Sequence, residues 1–224
     1  MRALDEKKQQ ECVLDLCSSL HALQTAAICT NYRKERRWTC LYQISRFWMC
    51  FVVVVKVECG MEEVFGLAKA RLQDCGLLLT SVDLNGKPNV MTIGWGLMGR
   101  LWGQMVFMVA VRPSRHTFGL IEETGEFTVN VPPKGDLDEA VAYCGKVSGR
   151  DHDKFKESGL KVEKGITVKS PMVSPCVAHF ECKVLGKSRL VPELLGEDVR
   201  KGSYASGNFH TLYFGKPLKI LMDR

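Results

Sequence analysis

Proline is missing from the first 60 residues, and glycine occurs there only at Gly60, although the chain of 224 residues holds eight prolines and 20 glycines. Six of its ten cysteines fall in that same stretch. Turn residues punctuate folded segments, so their scarcity sets residues 1–60 apart from the body as an extension. The longest apolar run there, Phe47 to Val55, covers nine residues, far short of the roughly 20 that a spanning helix needs. Nor does a charged opening lead directly into an apolar core, as a secretory signal would require. These absences favour a cytoplasmic, reducing setting and no membrane partner.

The cysteines show no C-x-x-C pair, which zinc sites commonly use, so no metal is expected. The net charge of +6 is mild, and acidic and basic residues are interspersed. No basic stripe interleaves with aromatics, so nucleic acid is not an expected partner. Gly94, Gly96, Gly99 and Gly103 form the one glycine cluster. A β-like run follows it where a dinucleotide fingerprint needs a helix. The Walker pattern is absent, as is any convincing Ser/His/Asp arrangement.

In the extension, residues 11–28 are compatible with an amphipathic helix through Val13, Leu16, Leu20 and Leu23. Met61 is a candidate start of the functional protein. From there the pattern changes. Glu62 to Asp74 reads as a helix stopped by Gly76, and Leu77 to Val82 as a strand. Asn85-Gly86 signals a hairpin, returning the chain through Asn89 to Trp95. Gly96 to Gln104 reads as a loop, Met105 to Val111 as a strand, Ser114 to Thr124 as a helix and Phe127 to Val131 as a strand. Leu137 to Cys144 is helical, and Cys176 to Leu185 and His210 to Met222 are long strands. In the first of these, Phe180, Cys182 and Val184 face a core while His179, Glu181 and Lys183 face solvent or a site. Hairpin-paired strands with a few short helices make the body mainly β and antiparallel.

The richest chemical signal is Arg112-Pro113-Ser114-Arg115-His116-Thr117, which joins an apolar strand to a helix. Unpaired N–H groups and the positive end of the dipole suit a helix start to phosphate, and arginine adds a matching fork of donors. Taken alone, Ser114 serves equally well as a plain helix cap. Cys75, Cys144, Cys176 and Cys182 read as small hydrophobes.

Together with that turn, four segments carry a resemblance: Asn89-Val90-Met91-Thr92-Ile93-Gly94-Trp95, Gly125 to Pro132, Ser148-Gly149-Arg150-Asp151-His152-Asp153-Lys154-Phe155, and His210 to Gly215. In this order the chain from about Met61 onward resembles the flavin reductase-like, FMN-binding split-barrel family, and within it the flavoredoxin-type branch. The resemblance implies a split β-barrel over residues 61–224 and bound FMN. It implies a phosphate held by Ser114, Arg115 and Thr117 with Arg112 close by, and an isoalloxazine ring against Asn89, Val90, Met91 and Thr92. Arg150 and Asn130 join the candidate cofactor-binding set. Thr92 and Met91 also read as an ordinary strand former and a core filler, and Asn130 as a satisfied side chain at a strand end.

His210 is the candidate catalytic residue, with His179 as the other ionisable strand histidine. Arg100, Trp102 and Trp95 are candidates for the pocket mouth. Cofactors of this kind carry the reaction themselves, so a missing triad does not argue against an enzyme. The implied activity is NAD(P)H-dependent flavin reduction, with electrons passed to free flavin, a ferric complex or a protein acceptor. The alternative is an electron-transfer flavoprotein like flavoredoxin, reduced by a redox protein partner without direct NAD(P)H oxidation. A homodimer is the implied assembly.

Overall fold

Strand-forming β-branched and aromatic residues run through three N-terminal strands, β1 (Ala27–Tyr32), β2 (Arg37–Ile44) and β3 (Phe47–Val53). They pair antiparallel in the order β1-β2-β3, with Cys29 opposite Cys40 and Leu41 opposite Cys50. The computed structural model describes the backbone of these three strands and residues 55–223. Most of the helix expected over 11–28 lies outside the described residues; Ala27 and Ile28 belong to β1. The chain divides into two units, Met1–Val55 with Arg224, and Lys56–Asp223.

The second unit begins five residues before Met61. Its elements are β4 (Lys56–Glu58), α1 (Met61–Gln73), β5 (Leu77–Val82), β6 (Pro88–Ile93), β7 (Gly96–Leu101), β8 (Gln104–Val111), α2 (His116–Thr124) and β9 (Glu126–Val131). Then come α3 (Asp138–Lys146), α4 (Lys154–Ser158), β10 (Lys161–Glu163), β11 (Met172–Ser174), β12 (Ala178–Arg189), α5 (Glu197–Tyr204) and β13 (Thr211–Asp223). The large sheet is antiparallel with strand order β6-β5-β9-β12-β13-β8-β7, and β4 lies against the end of β13. β6 and β7 are the two ends of that path. Such a body is mainly β with short helices, as the sequence implies.

Two apolar clusters hold it. Leu79, Phe107, Phe127, Val129, Phe180 and Tyr213 fill the face enclosed by the curved sheet, with Val64 and Ala68 of α1 joining them. Leu78 and Val90, on the opposite face of β5 and β6, pack with Val141 and Cys144 of α3 and Phe155 of α4. Side chains alternate along a strand, so β5 and β6 contribute to both clusters.

Two local readings are corrected. Residues 96–104 form the outer half of a β7–β8 hairpin, because pairing Gly96 to Val109 and Leu101 to Gln104 satisfies a backbone whose glycines suggested a loop. His179 and Glu181 are fully buried, so the polar side of β12 faces solvent only from Lys183 onward. The segment after β10 covers Glu181. Glu181 accepts from the backbone N–H groups of Ile166 at 2.6 Å and Thr167 at 2.7 Å, and a buried carboxylate needs such partners.

Candidate functional site

The turn from Arg112 to Thr117 closes with the Arg115 N–H donating to the Arg112 carbonyl at 3.0 Å. α2 then starts at His116, with Arg115 at the N-cap and no side-chain cap. Ser114 is therefore not the cap. Its hydroxyl accepts from Nδ2 of Asn208 at 2.7 Å, and its carbonyl accepts from Arg150 at 3.1 Å. Thr117, buried one position into the helix, accepts from Nδ2 of Asn89 at 2.7 Å. Thus the turn gathers three segments distant in sequence: β6, the 148–150 loop and the loop before β13.

Beside it lies a cavity of about 310 Å3 lined by Met91, Ser114, Arg115, His116, Thr117, Arg150 and Lys154, with the 144–149 backbone opposite. Lys154 is 4% exposed. Its ammonium donates to the carbonyls of Cys144 at 3.2 Å and Val147 at 3.4 Å, near the C-terminus of α3. An ammonium has three protons, so one remains. Among the described residues, Arg112, Arg115, Arg150 and Lys154 form no ion pair with a carboxylate. Burial pushes the Lys154 pKa down, and Arg115 adds to the shift. His116 is also lowered, first by burial and then by Arg150, Lys154 and Lys87. The cationic groups on its lining, Arg115, Arg150 and Lys154, outnumber the one carboxylate, Asp151.

A second cavity, of about 510 Å3, adjoins the first and shares Gly149, Arg150, Asp151 and Lys154 with it. Asn89 and Val90 line this second space, and Met91 lines the first. Thr92 gives its hydroxyl to the Val141 carbonyl of α3. β6 ends the sheet, so its outer edge has no strand partner among the described residues.

Three of the cofactor-binding candidates, Thr92, Arg112 and Asn130, line neither cavity, and the most deeply buried of them is Asn130. Its side chain is fully buried, donating to the Leu78 carbonyl at 3.3 Å and to Thr80 at 3.2 Å. Its oxygen meets the Val173 N–H at 3.0 Å and His179 Nδ1 at 2.8 Å. With every polar atom engaged inside the protein, Asn130 lines neither cavity; the structure places it as a satisfied side chain. His179 goes with it, close to Lys56.

His210 sits at the start of β13 in an aromatic cluster. Its Nδ1 lies 2.8 Å from the Tyr204 hydroxyl, and Trp95 packs 4.6 Å from its ring. The Arg112 guanidinium lies 5.5 Å from the centre of the Tyr204 ring and donates to the Ser203 carbonyl at 3.1 Å. Burial, together with the positive charge of Arg112 and Arg115, lowers the His210 pKa to about 4. Trp95 and Trp102 do not flank a common space. Trp102 lies in the β7–β8 turn with φ +52° and packs edge-on against Phe214 at 5.5 Å.

Sequence reasoning missed Lys154, although it stands in the quoted run from Ser148 to Phe155. Nothing local distinguishes a lysine that will be buried from one in solvent. Asn208 and Tyr204 carried no signal at all, because their relation to Ser114 and His210 exists only after folding.

An open antiparallel barrel with a cation-lined cavity at a helix start is the class these features define. The chain belongs to the family described as flavin reductase like domain, matched over residues 75–223. It is 32% identical over 144 residues to an uncharacterized protein of Archaeoglobus fulgidus, covering 64% of this chain and 69% of that one. Among solved structures it is similar to the flavoredoxin of Desulfovibrio vulgaris, with a TM-score of 0.53, 23% identity and coverage of 66% and 69% of the two chains. It is likewise similar to the FMN-binding domain of a flavin reductases-like enzyme from Shewanella baltica, with a TM-score of 0.55, 20% identity and coverage of 77% and 80%. The split-barrel fold class is that of these neighbours.

Proposed function

We propose that the chain binds FMN and acts as an NAD(P)H-dependent flavin oxidoreductase, passing electrons to free flavin, a ferric complex or a protein acceptor. The observation that carries this reading is the cavity at Ser114–Thr117, where Lys154 is a buried cation without a carboxylate. Burying an unpaired charge is costly, and a phosphate would offset that cost. Ser114, Arg115, Thr117, Arg150 and Lys154 would hold it, with Arg112 behind the turn.

The free edge of β6 at Met91 and Thr92 suits the polar rim of an isoalloxazine, since an extended edge alternates donors and acceptors. FMN, when bound, supplies the hydride and electron chemistry. His210 is neutral at neutral pH, given a pKa of about 4. Among the described residues its Nε2 has no hydrogen-bond partner, so it can hold or accept a proton there. The Arg112 and Arg115 charges that depress it also favour electron density arriving nearby.

The homodimer belongs to the same reading, the exposed Trp95 and Leu97 beside the site providing apolar surface for a second copy. Cys75, Cys144, Cys176 and Cys182 are free thiols. Among the described residues no helix is long and apolar enough to cross a membrane.

The test is spectroscopic. Purified protein should show a bound-flavin spectrum, and under anaerobic conditions excess NADH or NADPH should bleach the long-wavelength band within seconds. If neither donor bleaches it but reduced ferredoxin does, the chain is an electron carrier and hydride transfer from nicotinamide is excluded. Sedimentation at micromolar concentration tests the dimer: a clean monomer with FMN fully bound would contradict it.

A further inference from the structure

Tyr204 and His210 meet outside both cavities, where the loop before β13 passes the Arg112–Thr117 turn. Tyr204, the last residue of α5, is 4% exposed. Its ring is held on several sides: Phe209 stacks on it at 4.8 Å, Trp95 meets it edge-on at 6.0 Å, and the Arg112 guanidinium stands 5.5 Å from its centre. The phenol oxygen lies 2.8 Å from Nδ1 of His210, and the backbone N–H of His210 hydrogen-bonds the same oxygen. Burial raises the Tyr204 pKa, so the phenol keeps its proton at neutral pH.

Among the described residues that proton has no acceptor but Nδ1 of His210. The phenol oxygen already receives the His210 N–H, so the O–H donates to the ring. A neutral imidazole carries a single N–H, and His210 is neutral, with a pKa of about 4. With Nδ1 the acceptor, the imidazole proton stands on Nε2. The opposite tautomer would aim Nδ1–H at the phenol oxygen and leave a buried O–H unpaired, which is unfavourable.

His210 stands beside both parts of the proposed flavin site. Asn208, two residues before it, donates to the Ser114 hydroxyl at 2.7 Å. Trp95, two residues beyond the end of β6, packs 4.6 Å from its ring.

We propose that Tyr204 is a positioning residue that holds His210 as its Nε2–H tautomer, so that the histidine serves the bound flavin as a hydrogen-bond donor and not as a base. The proposal rests on the flavin reading above and deepens it: a donor at the ring favours the electron-rich, reduced cofactor.

Long-range nitrogen–proton correlation spectra of the isotope-labelled, flavin-free full chain read the tautomer. The chain has five histidines, and the signal lost in His210→Gln identifies this one. Nε2 should resonate as a protonated nitrogen and Nδ1 as an unprotonated, hydrogen-bonded one. In Tyr204→Phe the Nδ1 resonance should move toward that of a free lone pair and the Nδ1–H form should appear, while the other histidines stay in place. A proton on Nδ1 in the parent, or an Nδ1 resonance unchanged in Tyr204→Phe, would overturn the proposal.

The donor role is read from the midpoint potential of bound FMN, titrated with dithionite against a reference dye. His210→Ala should shift the two-electron equilibrium about tenfold toward oxidised flavin, roughly 30 mV. Tyr204→Phe should shift it less, and His210→Gln, whose amide N–H stands near the place of Nε2–H, should recover part of the loss. Equal potentials for the parent and His210→Ala, or for the alanine and glutamine variants, would overturn the donor role. The tautomer is read without flavin and the potential without NAD(P)H, so failure of the flavin reading and failure of this proposal are told apart.

Discussion

Asn89, on the last strand of the large sheet, donates a 2.7 Å hydrogen bond from Nδ2 to the hydroxyl of Thr117, 28 residues further on. Both groups are buried, so the bond fixes the edge strand against the start of α2 at a cost to neither in unsatisfied polarity. The proposed ring-binding strand and the proposed phosphate turn therefore move as one piece, and the 148–150 loop closes over the join.

That closeness makes Gly149 the most sensitive position in the site. A methyl group there would meet Oδ1 of Asn89 at 2.0 Å, and relief requires breaking the bond to Thr117 or lifting the loop. Gly149→Ala should lower stability by about 1–3 kcal/mol, the usual cost of overpacking, and weaken FMN as well. Chemical denaturation and flavin titration measure the two losses; an unaltered variant would show that the loop adjusts freely.

Arg115→Ala should weaken FMN by about 1.5 kcal/mol, the lower end for a hydrogen bond to a charged group, since Arg115 is exposed. Riboflavin, which lacks the phosphate, should lose much less. Equal losses for the two ligands would move the phosphate elsewhere.

Lys154→Met separates holding the fold from holding an anion. Removing a buried cation without a carboxylate partner should leave the melting temperature of the ligand-free protein close to that of the parent. The stabilisation by added FMN should shrink, because a ligand at free concentration L stabilises by RT ln(1 + L/Kd) and the variant raises Kd. Thermal melts with and without FMN read both quantities, and a full FMN response in the variant would remove Lys154 from the site.

The His210 pKa falls from 6.5 to about 4 in the folded protein through burial and the charges of Arg112 and Arg115. Between those values the unfolded chain binds the extra proton, so the contribution to stability is whole above about pH 6.5 and is lost as pH falls toward 4. His116, lowered as well, acts in the same direction. His210→Gln should flatten the decline in melting temperature over this window. A variant profile parallel to the parent's would assign the acid sensitivity to other groups.

A chain starting at Lys56 should match the full chain in melting temperature with FMN bound. One starting at Met61 should still bind FMN but melt lower, since it loses the pairing of β4 with β13 and the 2.8 Å contact of Lys56 with Asp223. Each kcal/mol lost is roughly 2–4 °C in a domain of this size. Equal melting of the two shortened chains would make residues 56–60 dispensable.

The sequence by itself determined most of the local structure. Leu77–Val82 is the strand its apolar run implies, Asn85-Gly86 makes the hairpin, and α2 ends at Gly125 in the left-handed conformation. Turn chemistry and side-chain periodicity act within a few residues, which is why they can be read without a fold. The strand-to-helix turn at Arg112–Thr117 was legible for the same reason, because its arginines, serine and threonine are neighbours in sequence.

Only the tertiary structure decided which polar residues line a cavity and which are consumed inside. Asn130 and Asn89 are alike as letters on strands. Packing gives the first five internal partners and leaves the second on the wall of a cavity. Lys154 became part of the cavity wall through burial against the end of α3, and His210 acquired its low pKa from burial first and then from Arg112 and Arg115, about a hundred residues away in the chain. Desolvation and charge act through space, so their outcome is fixed by the fold and cannot be read from sequence spacing.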